Sequence, residues 1–344
     1  MRATVFHGTQ DVRIENVPDP AIVDPTDAIV RVTHACICGS DLWFYRGQED
    51  WQPGWRTGHE FAGVVEAVGS EVRLLKVGDR VLAPFTYSDG SCEFCQEGLT
   101  TSCAHGGFWG GATMDGGQGE AVRAPFADAT LVALPPESEG RTASILPLTD
   151  VLPTGHHAAV SAGVRAGESV AVIGDGAVGL CAVIAARRLG AERIFLLGHQ
   201  TDRLALGRAF GATDLISARG VEAVGQVVEA SRGGVRHVIE AVGAGSSLAQ
   251  AVAVARPGGQ IGYVGVPHHA EPFDFQPMFL KNLGLKGGVA PVRPYIPALL
   301  DDVVAGRIDP SPILDMTVPL DGVPAGYAAM DQRRATKVLV DLTT

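Results

Sequence analysis

A short apolar run, Ser169-Val-Ala-Val-Ile173, leads straight into Gly174-Asp-Gly-Ala-Val-Gly179 and then into the helical periodicity of AVGLCAVIAARRLGA. A buried strand that feeds a helix through a G-x-G-x-x-G turn leaves few folds open. Gly174 permits the tight turn, Gly176 lets backbone approach a pyrophosphate, and Gly179 lets the helix lie against the strand. The amides of Ala177 and Val178, at the positive end of that helix, then face phosphate oxygens. RIFLLG, TDRLALGRAFGA, HVIEAVG and GQIGYVG continue the alternation. Strands alternating with helices predict a parallel, doubly wound sheet that binds a dinucleotide.

The end of the next strand bears on which dinucleotide. An acid there normally holds the ribose 2'-hydroxyl of NAD. This chain has Gly198, His199 and Gln200 instead, with Arg203 one turn on and Arg219 beyond it. With no carboxylate a 2'-phosphate meets no repulsion, and Arg203 or Arg219 can neutralise it. His199 can donate a hydrogen bond to it even when neutral. NADP(H) is therefore expected over NAD(H).

Before residue 150 the texture differs. AIVRVTHAC, FAGVVEAVG and DRVLAPF are β-branched runs bounded by Gly, Pro and Asp. Such runs at close spacing predict a small β barrel or sandwich. Two polar strings punctuate it, Cys38-Gly-Ser-Asp41 and Gly58-His59-Glu60. A thiol and an imidazole so far apart cannot share one helix face, so the fold must bring them together, and zinc is the usual reason. The best third ligand in the chain is Asp150, in PLTDVLPTG, at the junction of the two textures.

At 344 residues the chain is too long for one ordinary core, and 44 glycines suit tight turns more than disorder. A net charge of -11 speaks against a nucleic-acid partner. The start, MRATVFHGTQ, lacks the apolar centre of a secretion signal, and the apolar stretch 169–186 is broken by Asp175 and glycines. Six cysteines, three of them between 92 and 103, read as metal ligands in a reducing compartment. A cytoplasmic location is expected.

Taken together, CGSD, GHE, Gly78-Asp-Arg-Val81, the cysteine cluster, Thr149-Asp150, Thr154-Gly155 and GDGAVG resemble the zinc-dependent alcohol dehydrogenases of the medium-chain dehydrogenase/reductase superfamily. The resemblance covers essentially the whole chain. It implies a GroES-like β-barrel catalytic domain, residues 1–151 and 291–344, and a Rossmann cofactor domain, residues 152–290. It implies an alcohol oxidised to its aldehyde or ketone, with hydride passing to the nicotinamide. Cys38, His59 and Asp150 match the catalytic zinc ligands, Glu60 a neighbouring carboxylate that in some relatives swings in to the metal, and Ser40 the hydroxyl that takes the alcohol proton. Asp150 stands where many relatives have Cys, as in secondary-alcohol and formaldehyde dehydrogenases.

The same resemblance matches Cys92, Cys95 and Cys103 to a structural zinc site, with Asp89 where relatives have a fourth cysteine. Either Asp89 completes that site or the thiolates are a remnant that holds metal weakly or not at all. Thr154 and the loops at Val266 and Val289 match nicotinamide contacts, and Lys337, with Arg334 nearby, is expected at the pyrophosphate. Phe85 matches a pocket wall, with Phe108 and Trp109 at its far end, which favours apolar or aromatic alcohols. Trp43 replaces the histidine that continues the proton relay in many relatives, and it cannot accept a proton. A homodimer or homotetramer is expected, with GQIGYVG as a candidate pairing strand. The competing readings are an NAD-linked formaldehyde or polyol dehydrogenase, and a catalytically silent nicotinamide-binding sensor.

Overall fold

The computed structural model describes residues 1–267 and 273–343. It divides into two compact units, Met1–Asp150 with Pro291–Thr344, and Val151–Ala290.

The first unit is built on a seven-stranded sheet. Along it lie Met316–Pro319, Val338–Asp341, Ala28–Ile37, Phe61–Val68, Arg80–Ala83 and Val132–Ala133, and Ala121–Ala124 also pairs with Ala28–Ile37. The long Ala28–Ile37 strand alternates as its sequence suggests, with Val30 and Val32 buried around exposed Arg31. Its register against Phe61–Val68 slips twice, between Ile29 and Val30 and between Val32 and His34. Such irregularities bend and twist a strand, which lets a sheet curl around a core. That core includes Val30, Val32, Phe61, Trp109 and Tyr327.

The C-terminal tail is part of this unit. Val338–Asp341 runs antiparallel to Ala28–Ile37, setting Val338 opposite Ile37 and Val340 opposite Ala35. The helix Val323–Asp331, with Pro324 in its first turn, brings fully buried Tyr327 into the core. The Tyr327 hydroxyl donates to Gln118 Oε1 at 3.1 Å, Thr57 donates to the same oxygen at 2.7 Å, and Gln118 Nε2 donates to the Cys36 carbonyl at 3.0 Å.

The second unit carries a six-stranded parallel sheet. Its spatial order is Asp214–Ile216, Arg193–Leu197, Ser169–Ile173, Val235–Glu240, Ala255–Tyr263, Gly284–Gly287. The chain starts in the middle, works outward to one edge, then returns to build the other half. In such a sheet the ligand crevice lies outside the carboxyl ends of the strands, where the winding reverses. The expected strands at SVAVI, RIFLL, HVIE and GQIGY and the helices Ala177–Arg188 and Thr201–Ala209 are all present. GQIGYVG is not the outermost strand, because Gly284–Gly287 pairs outside it. Pairing between subunits through GQIGYVG is therefore blocked, and among the described residues the edge of the sheet is Gly284–Gly287.

Gln118→Leu orphans buried hydroxyls and a carbonyl from three segments, at ~1–3 kcal/mol for each unsatisfied group. The expected result is a clear drop in the midpoint of denaturant unfolding, with Tyr327→Phe causing a smaller one. Unchanged midpoints would remove this network from the account of how the tail is anchored.

Candidate active site

Cys38 comes directly after the Ala28–Ile37 strand, and Ser40 precedes the short helix Asp41–Tyr45. His59 lies just before the Phe61–Val68 strand, after Gly58 in a left-handed conformation (φ 100°). Asp150 ends a 3-10 turn, Leu146–Thr149, that is tied down by the Phe85 amide donating to the Thr149 carbonyl at 2.9 Å. These segments bring ligand atoms of Cys38, His59, Glu60 and Asp150 within 4.8 Å of one another. The Cys38 thiol donates to Asp150 Oδ2 at 3.4 Å, and His59 Nε2 lies 3.6 Å from that oxygen.

Asp41, quoted in CGSD but given no role from the sequence, organises this corner. Its Oδ2 accepts the Cys38 amide at 3.0 Å, and its Oδ1 lies 3.2 Å from His59 Nδ1. A proton held on Nδ1 by Asp41 leaves the Nε2 lone pair facing the cluster, as metal-ligating histidines require. A helix-opening acid three residues after a metal-type cysteine was the available signal.

Burial is the largest influence on Cys38, and with the charges of Glu60 and Asp150 it pushes the thiol up to about 11. For His59 burial acts downward, yet Asp41, Cys38 and Asp150 raise it well above the ordinary imidazole range. Burial also raises Glu60, against the opposing pull of Lys337. A thiol, an imidazole and carboxylates converging in a nearly dry place form a mixed set that fits zinc.

Lys337, expected at the pyrophosphate, is enclosed within the first unit. Its side chain is 1% exposed, and Nζ sits 2.7 Å from Glu60 Oε1. Enclosed this way, the lysine compensates Glu60 beside the ligand cluster. The register explains this, because Val338 pairs with Ile37 and sets its neighbour beside Cys38 and Glu60. Arg334 is exposed and donates to Gln332 Oε1 at 2.9 Å.

Asp89, Cys92, Cys95 and Cys103 form the second cluster, also with ligand atoms within 4.8 Å. Asp89 Oδ1 accepts the amides of Ser91 and Cys92 at 2.8 and 3.0 Å, while Oδ2 meets His105 Nδ1 at 2.5 Å. The Asp89 amide in turn points at Cys103 Sγ, 3.3 Å away. Burial works to raise Asp89, but His105 and those two amides hold it well below the usual carboxylate range. Three sulfurs and an ionised carboxylate fit a structural zinc.

Phe85 is buried with its ring centroid 6.3 Å from that of His59, and Phe108, 53% exposed, lies 5.9 Å beyond it. Trp109 is not a pocket wall. It is 3% exposed, packs edge-on to Phe61 and donates its indole N–H to the Pro84 carbonyl at 2.7 Å. In a Phe-Trp pair on one short extended segment, one ring must face the core, and the larger ring took that side.

In the second unit, Gly174 is left-handed (φ 113°), and a Cβ on Gly179 would lie 1.9 Å from the Gly174 carbonyl oxygen. A Cβ on Gly176 would meet nothing within 4 Å, so backbone there is open to a ligand. This cradle fits a dinucleotide pyrophosphate. Ala177 and Val178 open the helix above it. Val266 and Val289 are exposed just past the carboxyl ends of Ala255–Tyr263 and Gly284–Gly287, and Thr154 is buried in the helix Val151–Ser161. His199 is exposed, Arg203 half-buried, and Gly198 buried.

The residues 24–136 match the alcohol dehydrogenase GroES-like domain, and 177–304 match the zinc-binding dehydrogenase domain. The zinc-type alcohol dehydrogenase B of Aspergillus flavus is 34% identical over 347 residues, 98% of this chain and 81% of that one. Formaldehyde dismutase of Pseudomonas putida is 31% identical over 391 residues, 99% of this chain and 97% of that one. The alcohol dehydrogenase TADH from Thermus sp. ATN1 superposes with a TM-score of 0.93 at 37% identity, over 99% of both chains. This chain belongs to the zinc-dependent alcohol dehydrogenase family of the medium-chain dehydrogenase/reductase superfamily, with a GroES-like barrel and a Rossmann domain. Among the described residues no helix is long and apolar enough to cross a membrane.

Metal analysis is expected to find zinc at both clusters. Asp150→Ala should lose one ion and keep the other, and Cys92→Ser the reverse. Lys337→Met leaves a buried carboxylate unpaired and should cost ~3–5 kcal/mol of stability. Adding Glu60→Gln should restore most of it. Equal denaturant midpoints for Lys337→Met and the unaltered chain would refute the pairing.

Proposed function

We propose that the protein is a zinc-dependent dehydrogenase that interconverts a small alcohol and its aldehyde or ketone, with a nicotinamide dinucleotide as redox partner. The observation that carries this reading is the convergence of Cys38, His59 and Asp150, held in a chain whose other unit has the glycine cradle. Bound at these sites, zinc supplies a Lewis acid that makes an alcohol easier to deprotonate, and the nicotinamide supplies the hydride acceptor.

The chain's own residues do the rest. Asp41 Oδ1, 3.2 Å from His59 Nδ1, stands where it can accept that nitrogen's hydrogen bond and leave Nε2 for the metal. Lys337 pairs with Glu60 close to the cluster and favours its charged form, which suits Glu60 to serve as an alternative oxygen donor. Ser40, half-buried before the Asp41 helix, both accepts and donates, which suits it to take the alcohol proton. Phe85 and Phe108 offer an apolar surface beside His59 and favour apolar or aromatic alcohols. Val266 and Val289, just past two strand ends, and Thr154, in the helix Val151–Ser161, are the residues that would hold a nicotinamide.

The likeness to a formaldehyde dismutase supports a second reading, formaldehyde or its hydrate as substrate. Assembly into homo-oligomers is supported by the apolar exposure near the Gly284–Gly287 edge, where Phe275, Phe279, Leu280 and Val289 face solvent.

An absorbance assay at the reduced-nicotinamide band, with apolar and aromatic alcohols, polyols and formaldehyde, tests these readings. Turnover with an apolar alcohol is expected, and Ser40→Ala should lower kcat by ~100-fold or more, the usual share of a positioned proton acceptor. Turnover confined to formaldehyde favours the second reading. A zinc-replete protein that oxidises nothing in the panel points to a sensor.

A further inference from the structure

The strand-end acid missing from the Arg193–Leu197 segment is supplied from elsewhere. Asp175, the residue between the first two glycines of the turn, reaches across to the end of that strand. Its Oδ2 accepts the His199 amide at 2.6 Å and the Gln200 amide at 2.8 Å. A Cβ built on Gly198 would lie 2.5 Å from both the Asp175 Cβ and Oδ2. The Asp175 side chain therefore fills the volume that a side chain at 198 would need. The carboxylate at this strand end is thus delivered by the glycine turn, and the absence of a side chain at Gly198 leaves room for it.

We infer that Asp175 is the residue that selects the dinucleotide, and that it favours NAD(H) over NADP(H). This rests on the reading that the second unit binds a nicotinamide dinucleotide. In a Rossmann unit the adenosine ribose lies over the end of the second strand, where an acid accepts from its hydroxyls. A carboxylate there can receive the ribose 2'-hydroxyl. A 2'-phosphate brings about two negative charges to the same place. It also loses the two donors best placed to hold it, because the His199 and Gln200 amides already serve Asp175. The expectation of NADP(H) assumed that no carboxylate lies at this strand end, and the path of Asp175 removes that premise. His199 and Arg203 remain close in sequence, so binding of a 2'-phosphate becomes available once the charge of Asp175 is gone.

Direct binding distinguishes the outcomes without turnover. Dissociation constants for NADH and NADPH are measured by nucleotide fluorescence on the zinc-loaded protein, with AMP and 2'-phospho-AMP as competitors. The unaltered chain is expected to bind NADH roughly tenfold or more tightly than NADPH, the size of a screened charge contact. Asp175→Asn keeps an acceptor for the two amides but drops the charge, so NADPH should tighten, NADH should weaken, and the ratio should fall or invert. Equal weakening of both nucleotides would reduce Asp175 to a backbone cap, and tighter NADPH binding by the unaltered chain would overturn the inference. Loss of all binding in the unaltered chain would sink the dinucleotide reading itself. Circular dichroism of Asp175→Asn, matched to the unaltered chain, shows that the comparison is between folded proteins.

Discussion

The barrel unit depends on charge compensation in a place that water hardly enters. Cys38, Glu60 and Asp150 can each carry a negative charge, and they crowd around one imidazole. Isolated carboxylates cannot stay ionised when buried unless a cation is near. Lys337 supplies one positive charge from the tail, and the donor set is of the kind that holds a divalent ion. Asp41 does a different job, steering His59 and the Cys38 amide from the opening of a five-residue helix. Ligand geometry and electrostatics thus come from separate segments, and the Ala28–Ile37 strand, next to both Cys38 and the Lys337 tail, is one reference they share.

Much of the fold could be read in the residues, and the reasons are local. SVAVI is apolar on both faces, and its glycine turn has a strict steric job, so strand, turn and helix followed from one segment. AIVRVTHAC alternated cleanly enough to mark a half-buried strand. The helix Val151–Ser161 escaped, because Pro153 and Gly155 in its first turns look like a loop. The helices Gly220–Ala230 and Gly245–Val254 were missed too, being short, glycine-flanked and rich in alanine and valine.

At the site the legible part was chemistry and the hidden part was register. Thiol, imidazole and carboxylate types with metal-like spacing stand out in any sequence. Which face of a strand Lys337 presents cannot be seen there, because one step along the tail would send it to solvent. Trp109 and Asp175 escaped for similar reasons. Trp109 turned into the core while Phe108 stayed exposed, and Asp175 reached a strand that is its neighbour only in space. Absence of an acid at position 198 was visible; the substitute arriving from another loop was not.

The closing strand also imposes an order on how the molecule can be made. The Rossmann unit is continuous in the chain, from Val151 to Ala290, and can close on itself while later residues are still emerging from a ribosome. The barrel cannot. Lys337 meets the Ile37 carbonyl from 300 positions away, so the earlier-made segment must wait for one made much later. During that interval Glu60 has no ammonium beside it and the Ala28–Ile37 strand lacks one of its flanking strands. Until the tail arrives, the barrel's metal-type corner and its flanking edge stay incomplete.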